Sequence, residues 1–257
     1  MNSFGFLGMF IENMTGRGFV MKKSLVFAIF TLANIGSTAF GSTTSAETQE
    51  LKMQIVDLAQ KYEGQADPDF SRQKSLEVLV DRLLESAPQK PVQERLQDLY
   101  GAWKQVWGPY NYRESDRSVD PSIGVKEIYQ VVFEGGYYYN VSPAYKNGDL
   151  NNEKISFLRG EFKLSEKDEL GLDVRFTNLT ELKVRPESVN LWDLASEAEA
   201  NTLDGEKTTL PSFLVRLFFQ GGTLREVYTD HDLRILYGTN SRVFKNPYLY
   251  VMTKVSQ

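Results

Sequence analysis

Beyond Trp103 the chain becomes a series of short runs rich in Val, Ile, Phe and Tyr, separated by Gly, Asn, Asp and Pro, and this texture restricts the fold more than any other feature of its 257 residues. Such residues suit a pleated, half-buried surface, and the breakers between them supply turns. Candidate strands lie near Trp103 to Trp107, Val125 to Phe133, Tyr137 to Ser142, Ile155 to Leu164, Leu170 to Leu182, Leu214 to Phe219, Leu224 to Tyr228, Leu233 to Tyr237 and Tyr248 to Val255. The clearest is Leu170-Gly-Leu172-Asp-Val174-Arg-Phe176, whose strict alternation demands one buried and one wet face. Eight or nine strands with hairpin-length turns favour a closed antiparallel barrel, because closure removes exposed edges; a flattened sandwich stays open as the alternative.

Helical spacing precedes this region. Leu51, Ile55, Val56, Leu58 and Ala59 form one stripe between Glu47 and Tyr62, and Leu76, Leu79, Val80, Leu83 and Leu84 form a second between Ser71 and Pro88. Val92, Leu96, Leu99 and Tyr100 suggest a short third helix ending at Gly101. Leu191 to Leu210, acidic and Ala-rich, interrupts the strands and reads as a short helix and surface loop, too polar for the core.

The first 46 residues read as a separate unit. Met21-Lys22-Lys23, the apolar run Ser24 to Ile35 and the small residues through Ala46 have the order of an export signal, with Met21 the better start and cleavage expected after Gly41 or Ala46. The expected organisation is an N-terminal extension and signal peptide over 1–46, a helical segment over 47–100 and a β-barrel over 101–257, the last two forming one folded unit. Export predicts a periplasmic or extracellular protein, or a thylakoid-associated or lumenal one in a phototroph. Of the 29 basic and 34 acidic residues, the first 46 hold Arg17, Lys22, Lys23 and Glu12, which leaves 26 and 33 and a net charge of −7. That balance repels nucleic acid, so none is expected as a partner.

Little in the sequence points to catalysis. Without cysteine there is neither a disulfide nor a thiolate metal site, and the single histidine, His231, cannot build a multi-histidine one. No Gly-x-Ser-x-Gly elbow accompanies it, and Gly135-Gly136 and Gly221-Gly222 lack the rest of a phosphate-binding loop. No catalytic, cofactor-binding or metal-binding residue is therefore assigned. The aromatic content is more telling: 13 Tyr, 16 Phe and 3 Trp make up 12% of the chain, with several gathered on neighbouring strands. Inward-facing aromatics would suit a lipid, isoprenoid or pigment, and Tyr129, Phe133, Tyr137, Tyr139 and Phe176 are the candidate ligand-binding residues.

Two segments carry a resemblance. Gly101-Ala-Trp103 at the opening of the first strand resembles the lipocalin Gly-x-Trp signature, in which the tryptophan closes one end of a barrel and an arginine from a late strand packs across it. Tyr228, Asp230, Asp232, Leu233, Arg234, Ile235 and Gly238, together with Leu84-Glu85-Ser-Ala-Pro88 and Leu99-Tyr-Gly101-Ala-Trp103, resemble the plastid lipid-associated protein (fibrillin) family. Ala87 replaces that family's usual Asn, Tyr237 stands where Arg is frequent, and Ser241 to Asn246 lengthens the turn before the last strand. The resemblance implies a lipocalin-like barrel behind two or three N-terminal helices, a lipophilic small molecule as ligand, membrane lipids as peripheral partners, no cofactor and no enzymatic activity.

Strand parity adds a reading of its own: Arg234 faces opposite to Leu233 and Ile235, so it is expected to cover Trp103 and, with Gly101, to close the barrel floor. Alternatives to a lipid-binding protein are a structural or interaction protein with a filled barrel and no ligand, and a lipocalin-fold enzyme using inward carboxylates.

Overall fold

A computed structural model describes residues 46–62, 65, 67, 69–108, 123–125, 128–146, 149–183, 190–218, 221–239 and 247–255. The expected signal peptide and the lengthened turn at 241–246 lie outside them. Two helices come first, α1 (Ala46–Lys61) and α2 (Ser71–Ser86), followed by a single 3-10 turn over Val92–Arg95 and the short α3 (Leu96–Leu99). The strands are β1 (Gly101–Trp107), β2 (Ile123–Val125), β3 (Tyr129–Phe133), β4 (Tyr137–Lys146), β5 (Asp149–Leu164), β6 (Gly171–Lys183), β7 (Glu206–Leu210), β8 (Gly222–Thr229), β9 (Leu233–Thr239) and β10 (Tyr248–Lys254). Helix α4 (Leu191–Ala200) lies between β6 and β7, and α5 (Ser212–Phe218) between β7 and β8.

All pairings are antiparallel, and eight strands close on themselves in the order β1-β3-β4-β5-β6-β8-β9-β10 and back to β1. Strand β2 extends β4, and β7 pairs the second half of β6. The wall is thus a barrel with no free edge along its circuit, which satisfies the backbone without a partner chain.

Register assigns the faces, because paired residues share a side and neighbours along a strand alternate. Trp103 pairs Gln130, Gln130 pairs Asn140, Asn140 pairs Leu158 and Leu158 pairs Leu179. On the far wall Met252 pairs Arg234, Leu236 pairs Glu226 and Leu224 pairs Leu172. These residues line the inside. Tyr138 is there too, packing edge-on against Phe176 and lying 6.4 Å from Phe162 between ring centroids. It crosses the strand opposite at Gly160, where a Cβ would fall 2.4 Å from the phenol Cζ, so only glycine leaves room for the ring.

Helices cover the outside in two patches. Leu51, Ile55, Leu76, Val80 and Leu83 are buried in the cluster that contains Leu233, Ile235, Leu249 and Val251, the outward residues of β9 and β10. Each fully buried aliphatic side chain contributes roughly 1.5–3 kcal/mol. Direct bonds fix the helices as well: Gln73 receives a hydrogen bond from the Leu249 amide at 3.1 Å and gives one to the Pro247 carbonyl at 3.2 Å. Buried Asp67 accepts from the Arg72 and Gln73 amides and so anchors the first turn of α2.

The second patch is covered by α4, which starts at Asn190, whose side chain accepts from the Trp192 amide, and ends at Asn201 in the left-handed conformation. Leu194 and Ala195 are buried against Ala102, Val131, Phe133, Tyr139 and Val141. The segment expected to be too polar for the core therefore contributes an apolar stripe, and its last part, Glu206–Leu210, is strand β7 rather than loop. Two further corrections follow. The expected strand Leu214 to Phe219 is helix over 214–218, part of α5, with Phe219 outside the described residues; a short apolar run has no period that separates strand from helix, and α5 packs against β6. The expected strand Val125 to Phe133 is split into β2 and β3.

Candidate functional site

The barrel has one sealed end. Residues 89–100 run beneath it and bond to three of its strands or turns: Val92 donates to the Glu169 carbonyl at 2.9 Å, Gln89 accepts from the Thr229 amide at 3.0 Å, and the Trp103 indole donates to the Leu99 carbonyl at 2.7 Å. Gly101, at φ 121°, turns the chain from this segment into β1, and a side chain there would sit 2.8 Å from Lys254 Cε. Strands leave the opposite end toward 109–122, 147–148, 184–189, 219–220 and 240–246, outside the described residues.

A polar chain crosses the interior above this floor. Arg234, 2% exposed, donates from Nε to Glu226 Oε2 at 2.9 Å and from a terminal nitrogen to Oε1 at 2.5 Å, engaging both carboxylate oxygens. Its other terminal nitrogen donates to Gln130 Oε1, and Gln130 Nε2 donates in turn to Asn140 Oδ1 at 3.2 Å. Arg95 donates to the Glu226 carbonyl and to that of Lys90. Burial, opposed by the charge of Glu226 and reinforced by that of Arg234, lowers the Arg95 pKa from its ordinary value.

Two cations lie over the Trp103 ring. The guanidinium carbon of Arg234 is 5.9 Å from the ring centroid and Lys254 Nζ is closer, at 4.2 Å. Lys254 also donates to the carbonyls of Asp98 and Tyr100, which fastens the last strand to the floor. Burial and the charge of Arg234 bring its ammonium down to about 8. Gly101, Trp103 and Arg234 are thus together at one end, with Lys254, Glu226, Gln130 and Asn140 as companions that sequence reasoning did not single out. A signal for Glu226 existed in its spacing of two from Leu224, which places a carboxylate on the inward parity of β8.

The five aromatic candidates separate. Phe176 faces the lumen, whereas Tyr129, Phe133, Tyr137 and Tyr139 occupy the outward parity of β3 and β4 beneath α4. Phe133 stacks on Tyr137 at 4.8 Å and meets Trp192 of α4 at 4.5 Å. Tyr139 donates to Glu199 at 2.5 Å, and Arg159 donates to the same carboxylate at 2.8 and 3.0 Å. Burial and the Glu199 bond push the Tyr139 phenol well above its ordinary range. The arrangement fastens α4 to the wall.

Asp230, His231 and Asp232 bring three potential metal-ligand atoms within 4.8 Å of one another. A cation already occupies the cluster, since Lys52 of α1 donates to Asp230 at 2.8 Å and to Asp232 at 3.1 Å. Asp230 also accepts from Tyr228 Oη at 2.7 Å and from the amides of Asp232 and Leu233, which shapes the β8–β9 turn. Among the described residues no helix is long and apolar enough to cross a membrane.

These features define a class by architecture: an eight-stranded closed antiparallel barrel with a sealed floor and helices on its outer wall. No protein-family model matches the chain, and comparison with curated proteins finds no match.

Proposed function

We propose that the chain is an exported lipid-binding protein of lipocalin-like fold, akin to the plastid lipid-associated (fibrillin) proteins, holding a lipophilic small molecule such as a lipid, isoprenoid or pigment. One observation carries the reading: Leu158, Phe176 and Leu179 have inward parity and form an apolar lining on the part of β5 and β6 that lies away from the sealed floor. Phe162, Leu164 and Val174, also inward but only partly buried, continue it down to the β5–β6 turn at the sealed end. Covering such a surface contributes roughly 25 cal/mol per Å² of apolar area, which supports burial of a lipid-like body.

A second reading, a structural or interaction protein with a filled barrel, is favoured by the lower half, where Trp103, Tyr138 and Arg234 are almost fully buried. An enzymatic reading gains less support, because Arg234 engages both oxygens of Glu226. Titration with the neutral fluorophore N-phenyl-1-naphthylamine separates the first two. Saturable uptake of about one probe per chain, reduced when Leu179→Trp fills the upper lining, is expected of a container; no uptake at any concentration marks a filled barrel.

A further inference from the structure

We infer that the ligand enters polar end first and that this end is a neutral hydrogen-bond acceptor, such as a ketone or ester carbonyl, received by the amide nitrogen of Asn140. The inference rests on the lipophilic-ligand reading above and specifies the ligand's chemistry.

The argument begins at Arg234. A guanidinium only donates, so the Gln130 atom facing it is Oε1, and Gln130 must present Nε2 to its other neighbour. That neighbour is Asn140, which therefore turns Oδ1 to Gln130 and keeps Nδ2 for something else. The amide orientations are thus fixed by the charge at the start of the relay. Asn140 is 1% exposed and inward by register, and its Nδ2 is buried without a hydrogen-bond partner among the described residues. A buried amide donor left unmade costs about 1–3 kcal/mol, so an acceptor delivered to it is favoured.

Charge decides against a free acid. Arg234 gives both its carboxylate-directed bonds to Glu226, and Lys254 spends donors on backbone carbonyls. Arg95 bonds carbonyls through Nε and one terminal nitrogen and keeps Nη1 buried without a partner among the described residues, on the floor segment and not on the strand that carries Asn140. Glu181, buried and inward by its pairing with Ser156, places an acidic side chain on the wall two residues beyond Leu179, which a ligand carboxylate would meet on the way to Asn140.

The test is displacement of N-phenyl-1-naphthylamine from the full chain by dodecan-2-one, dodecane and dodecanoate. Wild type is expected to bind the ketone about fivefold to tenfold more tightly than the alkane, the equivalent of one buried hydrogen bond, and dodecanoate least. Asn140→Leu should abolish the ketone preference while retaining dodecane, and Asn140→Asp, which exchanges the donor for an acceptor, should weaken ketone binding. Equal displacement by ketone and alkane in wild type, or tightest binding of dodecanoate, overturns the inference and leaves the container standing. Failure of all three to displace a bound probe also overturns the inference, whereas no uptake of the probe at any concentration removes the container reading itself. Should Asn140→Leu not fold, the wild-type ranking and Asn140→Asp decide.

Discussion

Removing the charge of Glu226 is expected to cost far more than removing that of Arg234, although the two are partners in one ion pair. Both are almost completely buried, and the pair is bidentate at 2.9 and 2.5 Å. Breaking such a pair from one side costs about 3–5 kcal/mol, because the survivor keeps its desolvation penalty without its counter-charge. The surroundings then make the two sides unequal. Arg234 raises the cost of charging both Arg95 and Lys254, whereas Glu226 favours the charge on Arg95. Glu226→Gln therefore leaves several cations around an uncharged amide and should lie at the upper end of the range. Arg234→Met leaves one carboxylate beside one guanidinium and relieves Lys254, so it should lie at or below the lower end. At about 2–4 °C per kcal/mol for a fold of this size, Glu226→Gln should lower Tm by roughly 10–20 °C. The double variant Glu226→Leu/Arg234→Met should recover much of that loss, since apolar replacements of a buried pair are often near neutral. Denaturant melts of the four proteins give the comparison. A loss under about 1 kcal/mol for Glu226→Gln, or a larger loss for Arg234→Met, would refute the reasoning.

Three further perturbations probe other joints. Gly160→Ala places a methyl against the Tyr138 ring and should cost about 1–3 kcal/mol by overpacking, recovered by adding Tyr138→Leu; an unchanged melting temperature would mean the ring does not cross that strand. Lys254 has a folded value of about 8 against an ordinary 10.5, so between these pH values the unfolded chain binds more protons and the lysine's contribution rises with pH, by at most about 1.4 kcal/mol per unit. Stability measured as wild type minus Lys254→Met should climb from pH 8 to 10, and a flat difference would contradict a buried ammonium. Burial alone would raise the Asp230 carboxyl, but Lys52 and two backbone amides hold it below its ordinary value, so its contribution is present at neutral pH and lost as pH falls through the folded value. Lys52→Met should remove about 1.5–3 kcal/mol at pH 7 and flatten the acid limb of the stability profile; an unaltered acid limb would place the effect elsewhere.

The sequence discloses the barrel where one face meets water and hides it where both faces are covered. Leu172, Val174 and Phe176 alternate with polar residues, and all three face inward as that pattern requires. On β3 and β4 the runs Val131-Val132-Phe133 and Tyr137-Tyr138-Tyr139 are apolar on both faces, because α4 covers the outside and the lumen the inside, so period two disappears and inward aromatics cannot be told from outward ones. Four aromatic candidates consequently lie under α4 and not in the lumen. The inward parity of Arg234 was legible from its apolar neighbours. Of its partners only Glu226 left a trace, in its spacing from Leu224; Gln130 and Asn140 resemble polar residues of any wet strand face until the register brings them together. Nor does an apolar run as short as Leu214 to Phe219 reveal whether it pairs as a strand or packs as a helix.

The claim that the barrel is a container is tested most directly by organic extraction of the natively purified protein followed by mass spectrometry. The account predicts about one lipophilic molecule per chain, bearing a neutral carbonyl or similar acceptor. Extracts that are repeatedly empty, from protein that also takes up no hydrophobic probe, would contradict it.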